Sequence, residues 1–359
     1  MSAPDLAALR PLLAQIVDLK RVRDARGPRS LVERLFGRAW ARLAAGEAAE
    51  AVALAETAAA VAAVRLGGLD ADVMRARGLG EPEALGVLGR SFDDVAAPVA
   101  EPLRSRLRDA LGAPAARLEP EPTLVQALVD QPRAGATHPG LPRLVLEPAE
   151  SHADHCGAVA VLGVLCAPAG ADLGRVFLCG LAHHLFNVTL PDAGYAADAL
   201  VGDAALGHMV RHATDAALAA LPAPLASAAA DALGAASPAE LDTPDGRAFQ
   251  AADVLDRTLE MAWHARAAGF ELRDALGTDA AAGELNVNHA GFAQAAHADV
   301  LARAGVWPEH GTTDRGGEES SYVVTGHGSV PAASPEAQGP SAEEARAPVA
   351  HLERRELGS

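Results

Sequence analysis

The chain has 359 residues, enough for one large domain or two ordinary ones with real cores. Half of it is hydrophobic, much of that alanine, and only 3% is aromatic, a balance that favours helix over sheet. The formal net charge of −17, with no stretch that concentrates Lys and Arg, argues against a nucleic-acid partner. A small anionic substrate stays compatible with that charge, because a bound metal can reverse the local field.

Residues 4–25 carry Leu6, Leu9, Leu12, Leu13, Ile16 and Leu19 at helical spacing, and Gly27-Pro28 ends the pattern. Ser30 and Glu33 then form an S-x-x-E capping box ahead of a helix whose apolar stripe is Leu31, Leu35, Ala39, Trp40 and Leu43. A third helix fills 47–66 up to Gly67-Gly68, and shorter helices follow to about 112. Nothing in 1–112 has catalytic spacing, and this region reads as a helical packing or interaction domain.

Residues 113–150 are rich in Pro and Gly and read as a linker or an ordered loop. Arg133, Gly135, Thr137, His138 and Arg143 within it are candidates to line a site, with plain connector as the alternative. From 151 to 306 the helical pattern resumes, with candidate helices at 151–167, 171–186, 204–221, 223–235, 244–268 and 290–305. Residues 307–359 are rich in Gly, Ser, Pro and Glu without periodicity and are predicted to be a disordered tail.

Cys156, Cys166 and Cys179 are odd in number and widely spaced, so they are not a disulfide framework, and Cys166 and Cys179 lie in apolar runs as buried thiols would. The N-terminus has no signal-peptide core, and no uninterrupted apolar run reaches about 18 residues. A soluble, cytoplasmic protein with no membrane contact is expected. The sequence leaves the oligomeric state open.

The histidines cluster. His152 and His155 lie three apart, His183 and His184 are adjacent, His208 and His212 lie four apart, and Asp253 and Asp256 lie three apart. Spacings of three or four put both side chains on one face of a helix. Adjacent histidines can serve one site only where a helix ends, and LFNVTLPDAG after His184 fits such an exit. Imidazoles with a carboxylate suit a transition metal, and a helical bundle can present them inward from several helices.

The order of His155, then His183-His184 after the apolar VFLCGLA, then Ala252-Asp253-Val254-Leu255-Asp256 resembles the histidine/aspartate (HD) superfamily of metal-dependent phosphohydrolases. The resemblance covers about 150–265. It implies an all-α fold, an HD-type helical bundle preceded here by the helical N-terminal region. It also implies a divalent transition metal (Mn, Fe, Co, Ni or Zn) and hydrolysis of a phosphate ester or nucleotide. Residue by residue, the family's first histidine falls on His155, its paired histidine on His183 and its last aspartate on Asp253. The paired aspartate falls on His184, a departure: a carboxylate can bridge two metals, whereas a neutral imidazole offers one lone pair. Three outcomes follow: a mononuclear site of three His and one Asp, a site completed by His208 or His212, or a degenerate site without catalysis.

His152 is a further candidate ligand, or a hydrogen-bond partner of one. Asp192 and Asp203, after the histidine pair, are candidate catalytic bases. Asp256 reads as a surface carboxylate. Asn286, Asn288, His289, Gln294 and His297 could close over the site, but the preferred reading makes Asn288 an N-cap and turns the histidines to solvent. No P-loop, dinucleotide fingerprint, G-x-S-x-G or H-E-x-x-H is present. Besides a hydrolase, the residues allow a non-catalytic ligand-binding or regulatory module, or an iron-dependent oxygenase.

Overall fold

The computed structural model describes residues 4–113, 120–135, 145–268, 278–279, 284–285 and 291–306. The fold is all-α. Apart from isolated bridges, the strand pairing among the described residues is two residues long, Thr278–Asp279 against Glu284–Leu285. Among the described residues fourteen α-helices follow one another. They are α1 (Leu6–Asp18), α2 (Leu31–Ala44), α3 (Ala49–Leu66), α4 (Ala71–Ala76), α5 (Glu81–Val95), α6 (Leu103–Asp109) and α7 (Thr123–Asp130). After these come α8 (His152–Cys166), α9 (Leu173–Ala182), α10 (Tyr195–Val201), α11 (Asp203–Ala219), α12 (Ala223–Ala232), α13 (Pro244–Ala268) and α14 (Gln294–Arg303).

The centre of the fold is α8. All fifteen of its residues are buried, as expected of a helix with no polar face. Helices α2, α3, α9 and α13 surround it, so one apolar core runs from Leu6 to Ala304. The helices pack closely where glycine allows it. A Cβ on Gly180 of α9 would lie 2.5 Å from Cα of Ala160 in α8. This close crossing brings the end of α9, and with it His183, against the first turns of α8. All three cysteines are buried and free. Burial pushes the Cys166 thiol up to about 12, so these are inert core thiols.

The Ser30 capping box forms in full: Glu33 N–H donates to Ser30 Oγ at 3.0 Å, and Ser30 N–H donates to Glu33 Oε2 at 2.7 Å. Its chemistry continues into a second cap. Ser151 caps α8 by accepting from Asp154 N–H at 3.0 Å, and its own hydroxyl donates to Glu33 Oε1 at 2.8 Å. Ser30 Oγ in turn donates to Asp154 Oδ1. The N-termini of α2 and α8 therefore cap each other, which fixes the start of the helix that carries His152 and His155. Burial and the neighbouring Glu33 push the Asp154 carboxyl well above the usual carboxylate range.

Two expectations need correction. The Pro/Gly-rich stretch contains the helix α7, because Leu124, Val125 and Leu128 supply a short apolar face that packs into the core. His297 does not face solvent: it is fully buried in α14, with its Nε2 2.7 Å from Gln250 Oε1 on α13. Thr137, His138, Arg143, Asn286, Asn288, His289 and the predicted tail lie outside the described residues. No helix among the described residues is long and apolar enough to cross a membrane.

Candidate metal centre

Three helix segments bring the site together. His155 sits on the second turn of α8, which Ser151 caps. His183 is the C-cap of α9, and His184 follows it into a 3-10 turn, Leu185–Val188. The helix thus ends where the sequence suggested, and the opening last turn lets two adjacent imidazoles serve one region. Asp253 lies midway along α13, on a stripe that also carries Phe249, Asp256, Glu260 and His264 at helical spacing.

The donors converge. His155 Nε2 is 3.1 Å from His183 Nε2 and 3.3 Å from Asp253 Oδ1, and His183 Nε2 is 3.9 Å from the same oxygen. The ring of His184 lies 4.5 Å from that of His183 and 5.1 Å from that of His155, centroid to centroid. One nitrogen from each of the three histidines falls within 4.8 Å of the others. Ligands bound at about 2.0–2.2 Å in a tetrahedral or octahedral shell are roughly 3.0–3.5 Å apart. The shortest two of these separations have that size.

The protonation pattern points the same way. His155 Nδ1 is 2.7 Å from Asp256 Oδ2, so it carries the proton and donates it. His183 Nδ1 donates to the Gly180 carbonyl at 2.8 Å. His184 Nδ1 donates to Asn187 Oδ1 at 2.8 Å, an orientation of the amide fixed by its Nδ2 donating to Leu190 O at 3.0 Å. In all three rings Nδ1 is turned to an oxygen, which leaves Nε2 for the centre, the arrangement of metal-binding histidines. Burial and the neighbouring His155 push His183 down to about 3, and burial and His183 push His184 well below the ordinary value, so both are neutral. Burial opposes ionisation of Asp253, but the neighbouring imidazole of His155 outweighs it and holds the carboxyl below its usual range. The 3.1 Å between Nε2 of His155 and Nε2 of His183 is the separation of two nitrogens that share a proton or a metal ion. The residues therefore fit a divalent transition metal.

A charged layer backs these candidate ligands. Lys20, in the middle of the 3-10 turn Leu19–Arg21 that follows α1, is 3% exposed; its Nζ reaches Glu150 Oε1 at 2.5 Å and Asp256 Oδ1 at 2.6 Å. Asp256 is fully buried between Lys20 and His155 and is not the surface carboxylate expected. Its Asp253-Asp256 spacing was visible in sequence, but Lys20 comes from 236 residues upstream, and a lone lysine beside an amphipathic helix gives no signal of burial. Glu150, Asn187 and Lys20 were likewise not singled out by the sequence.

The remaining candidates separate. His152 is fully buried, and neither of its ring nitrogens has a hydrogen-bond partner. Its Nε2 lies 3.6 Å from Asp192 Oδ2, and its ring 4.9 Å from that of His184. Burial, then the charge of Arg133, pushes it down to about 3. Asp192 accepts the Ala134 N–H at 2.9 Å and the Gly194 N–H at 3.1 Å, pinning two turns beside the centre. Asp203, His208 and His212 are exposed on α11 and join no donor group within reach of the centre. Arg133 and Gly135 line a cavity next to Glu150 and Asp192. Compared with known proteins, the chain matches no family model, no curated protein and no solved structure, so the centre is defined by its own geometry.

Proposed function

We propose that the protein is a metal-dependent hydrolase of a phosphate ester or nucleotide, with a divalent transition metal (Mn, Fe, Co, Ni or Zn) on His155, His183, Asp253 and His184, in a divergent HD-type bundle. The observation that carries this reading is the shared pattern of the three imidazoles, each giving its Nδ1 proton to an oxygen and leaving Nε2 for the centre. When bound, such a metal supplies the Lewis acidity for attack of water on a phosphoryl group. Asp256, backed by Lys20, holds His155 in the ligating tautomer. Asp253 contributes the one negative charge of the ligand set. His152, with its free nitrogens, and Asp192 beside it provide a place to accept and pass a proton at the edge of the centre.

His184 stands where the family has an aspartate, so one metal per chain is expected instead of two. The test is metal stoichiometry and turnover of a chromogenic phosphate ester for untagged wild type, His184→Ala and His184→Asp. One metal per chain with turnover, both lost in His184→Ala, supports the reading. An unchanged metal content in His184→Ala removes this residue from the ligand set. The same departure favours a second reading, a non-catalytic ligand-binding module, which metal-free protein without turnover would select.

A further inference from the structure

Beside the centre lies a cavity of about 360 Å³ with both charge signs on its walls, including Arg133, Arg257, Glu150, Asp192 and Glu260. Of its four acids Glu147 is exposed to solvent, and the other three are already satisfied. Glu150 takes Lys20 Nζ at 2.5 Å. Glu260 takes Arg21 Nη1 on both oxygens at 2.7 Å, and His264 at 3.1 Å. Asp192 takes the two backbone N–H groups of Ala134 and Gly194.

The cations are not. Arg133 Nη1 is buried without a hydrogen-bond partner, and its Nε stays 3.6 Å from Glu150 Oε2, beyond hydrogen-bond length. Arg257, on α13 next to Asp256, is partly buried and makes no ion pair or hydrogen bond among the described residues. Burial and the facing charge of Arg133 push its guanidinium down. Arg133 keeps only its long ion pair with Glu150 and Arg257 has none, so an oxyanion between the two would supply the short hydrogen bonds that both guanidinium groups lack. Planar guanidinium forks suit the oxygens of phosphate.

We propose that this cavity is a phosphate-binding subsite in which Arg133 and Arg257 hold a phosphate group of a small ligand. Its placement ties it to the centre: Glu150 in its wall is 3.9 Å from His155 Nδ1, and Asp192 is 3.6 Å from His152 Nε2. Its volume is large for a single phosphate and suits part of the molecule that carries one. The subsite's role in catalysis rests on the hydrolase reading, whereas its binding of phosphate does not. On that reading the substrate is a small molecule with a phosphate besides the group that reacts, a nucleotide being of that class.

The test is calorimetric titration of inorganic phosphate into the full chain, with metal content measured on the same samples. Wild type should bind phosphate more tightly than acetate. Arg257→Gln and Arg133→Gln should each weaken phosphate by roughly tenfold or more, the loss of a charge-assisted hydrogen-bond pair, with metal per chain unchanged. Arg257→Lys, which keeps the charge but not the fork, should fall between. If Arg133→Gln does not fold, the partly exposed Arg257→Gln carries the test. No binding by wild type, or equal affinity in folded Gln variants, would overturn the subsite. So would a phosphate loss that always accompanies metal loss, which would put the anion on the metal. Metal-free wild type that still binds phosphate through these arginines overturns the hydrolase centre and leaves the subsite standing.

Discussion

Helices α8 and α11 each carry two histidines on one face, three apart in α8 and four apart in α11. By spacing alone they are equivalent. In α8 every residue is buried, and His155 finds a carboxylate on α13 for its Nδ1 and a second imidazole from α9 for its Nε2. In α11 only Ala213 and Ala217 are buried, and His208 and His212 stand in solvent. Helical spacing makes two side chains neighbours. It does not supply the oxygen acceptors that fix a tautomer, nor the close helix crossings that bring a third ligand. Those come from the whole bundle, and they separate a candidate metal centre from a pair of surface histidines.

The contrast breaks most sharply at the ligands themselves. His183→Ala removes one of the two nitrogens that face each other at 3.1 Å. Metal content of the purified chain, measured by elemental analysis, should fall from about one per chain to near none, since losing a ligand costs more than the 10–100-fold typical of losing a ligand's hydrogen-bond partner. Full metal retention in this variant would remove the centre altogether.

Asp256→Asn tests the layer behind the ligands. It keeps an oxygen near His155 but takes the negative charge from between Lys20 and the imidazole. Metal affinity by competition with a chelator should drop about 10–100-fold. Stability should fall by on the order of 3 kcal/mol, because a buried lysine loses one of its partners. A variant as stable as wild type would mean that Glu150 alone satisfies Lys20.

Acid should undo the centre in a defined window. His152 and His183 have folded values pushed down to about 3, while an unfolded histidine titrates near 6.5. Between those limits the unfolded chain binds protons that the folded chain does not. Stability is therefore full above about pH 6.5 and is lost as pH falls toward 3, at up to about 1.4 kcal/mol per pH unit for each such histidine. Thermal melts between pH 7.5 and 5 should show a falling Tm, with metal released over the same range as protons compete for the nitrogens. A Tm flat across this range would show that these histidines are not held neutral.

Much of this was legible in the chain. The Ser30-Glu33 box, the helix carrying His152 and His155, the exit of α9 at the histidine pair and the 244–268 helix all appear where local signals put them. Those signals are local in sequence: caps, apolar spacing and helix breakers. What the sequence concealed depends on distant segments. Asp256 looks like a solvated carboxylate until Lys20 reaches it from the far end of the chain. Helix α7 hides between proline-rich flanks, although its Leu124, Val125 and Leu128 were in view. His297 is buried by Gln250, 47 residues away. His208 and His212 show the opposite error, since periodicity assigns a face to a side chain without saying whether anything covers that face.

The smallest expected effect sharpens this last point. His208→Ala with His212→Ala should leave metal content at the wild-type value, because both rings are exposed and no donor group near the centre includes them. Stability should move by no more than about 0.5 kcal/mol, the usual range for surface positions without special partners. Alanine is the better helix former, so the sign is expected to be neutral or slightly stabilising. Metal content and Tm of the double variant decide it. The result would matter most if it went the other way. A loss of metal would mean that α11 swings over the centre in solution. The positive φ of Gly194 and Gly202, which flank α10, would then be the natural hinge positions to examine. It would also revive the sequence option of a site completed by His208 or His212, and exposure would cease to distinguish α11 from α8.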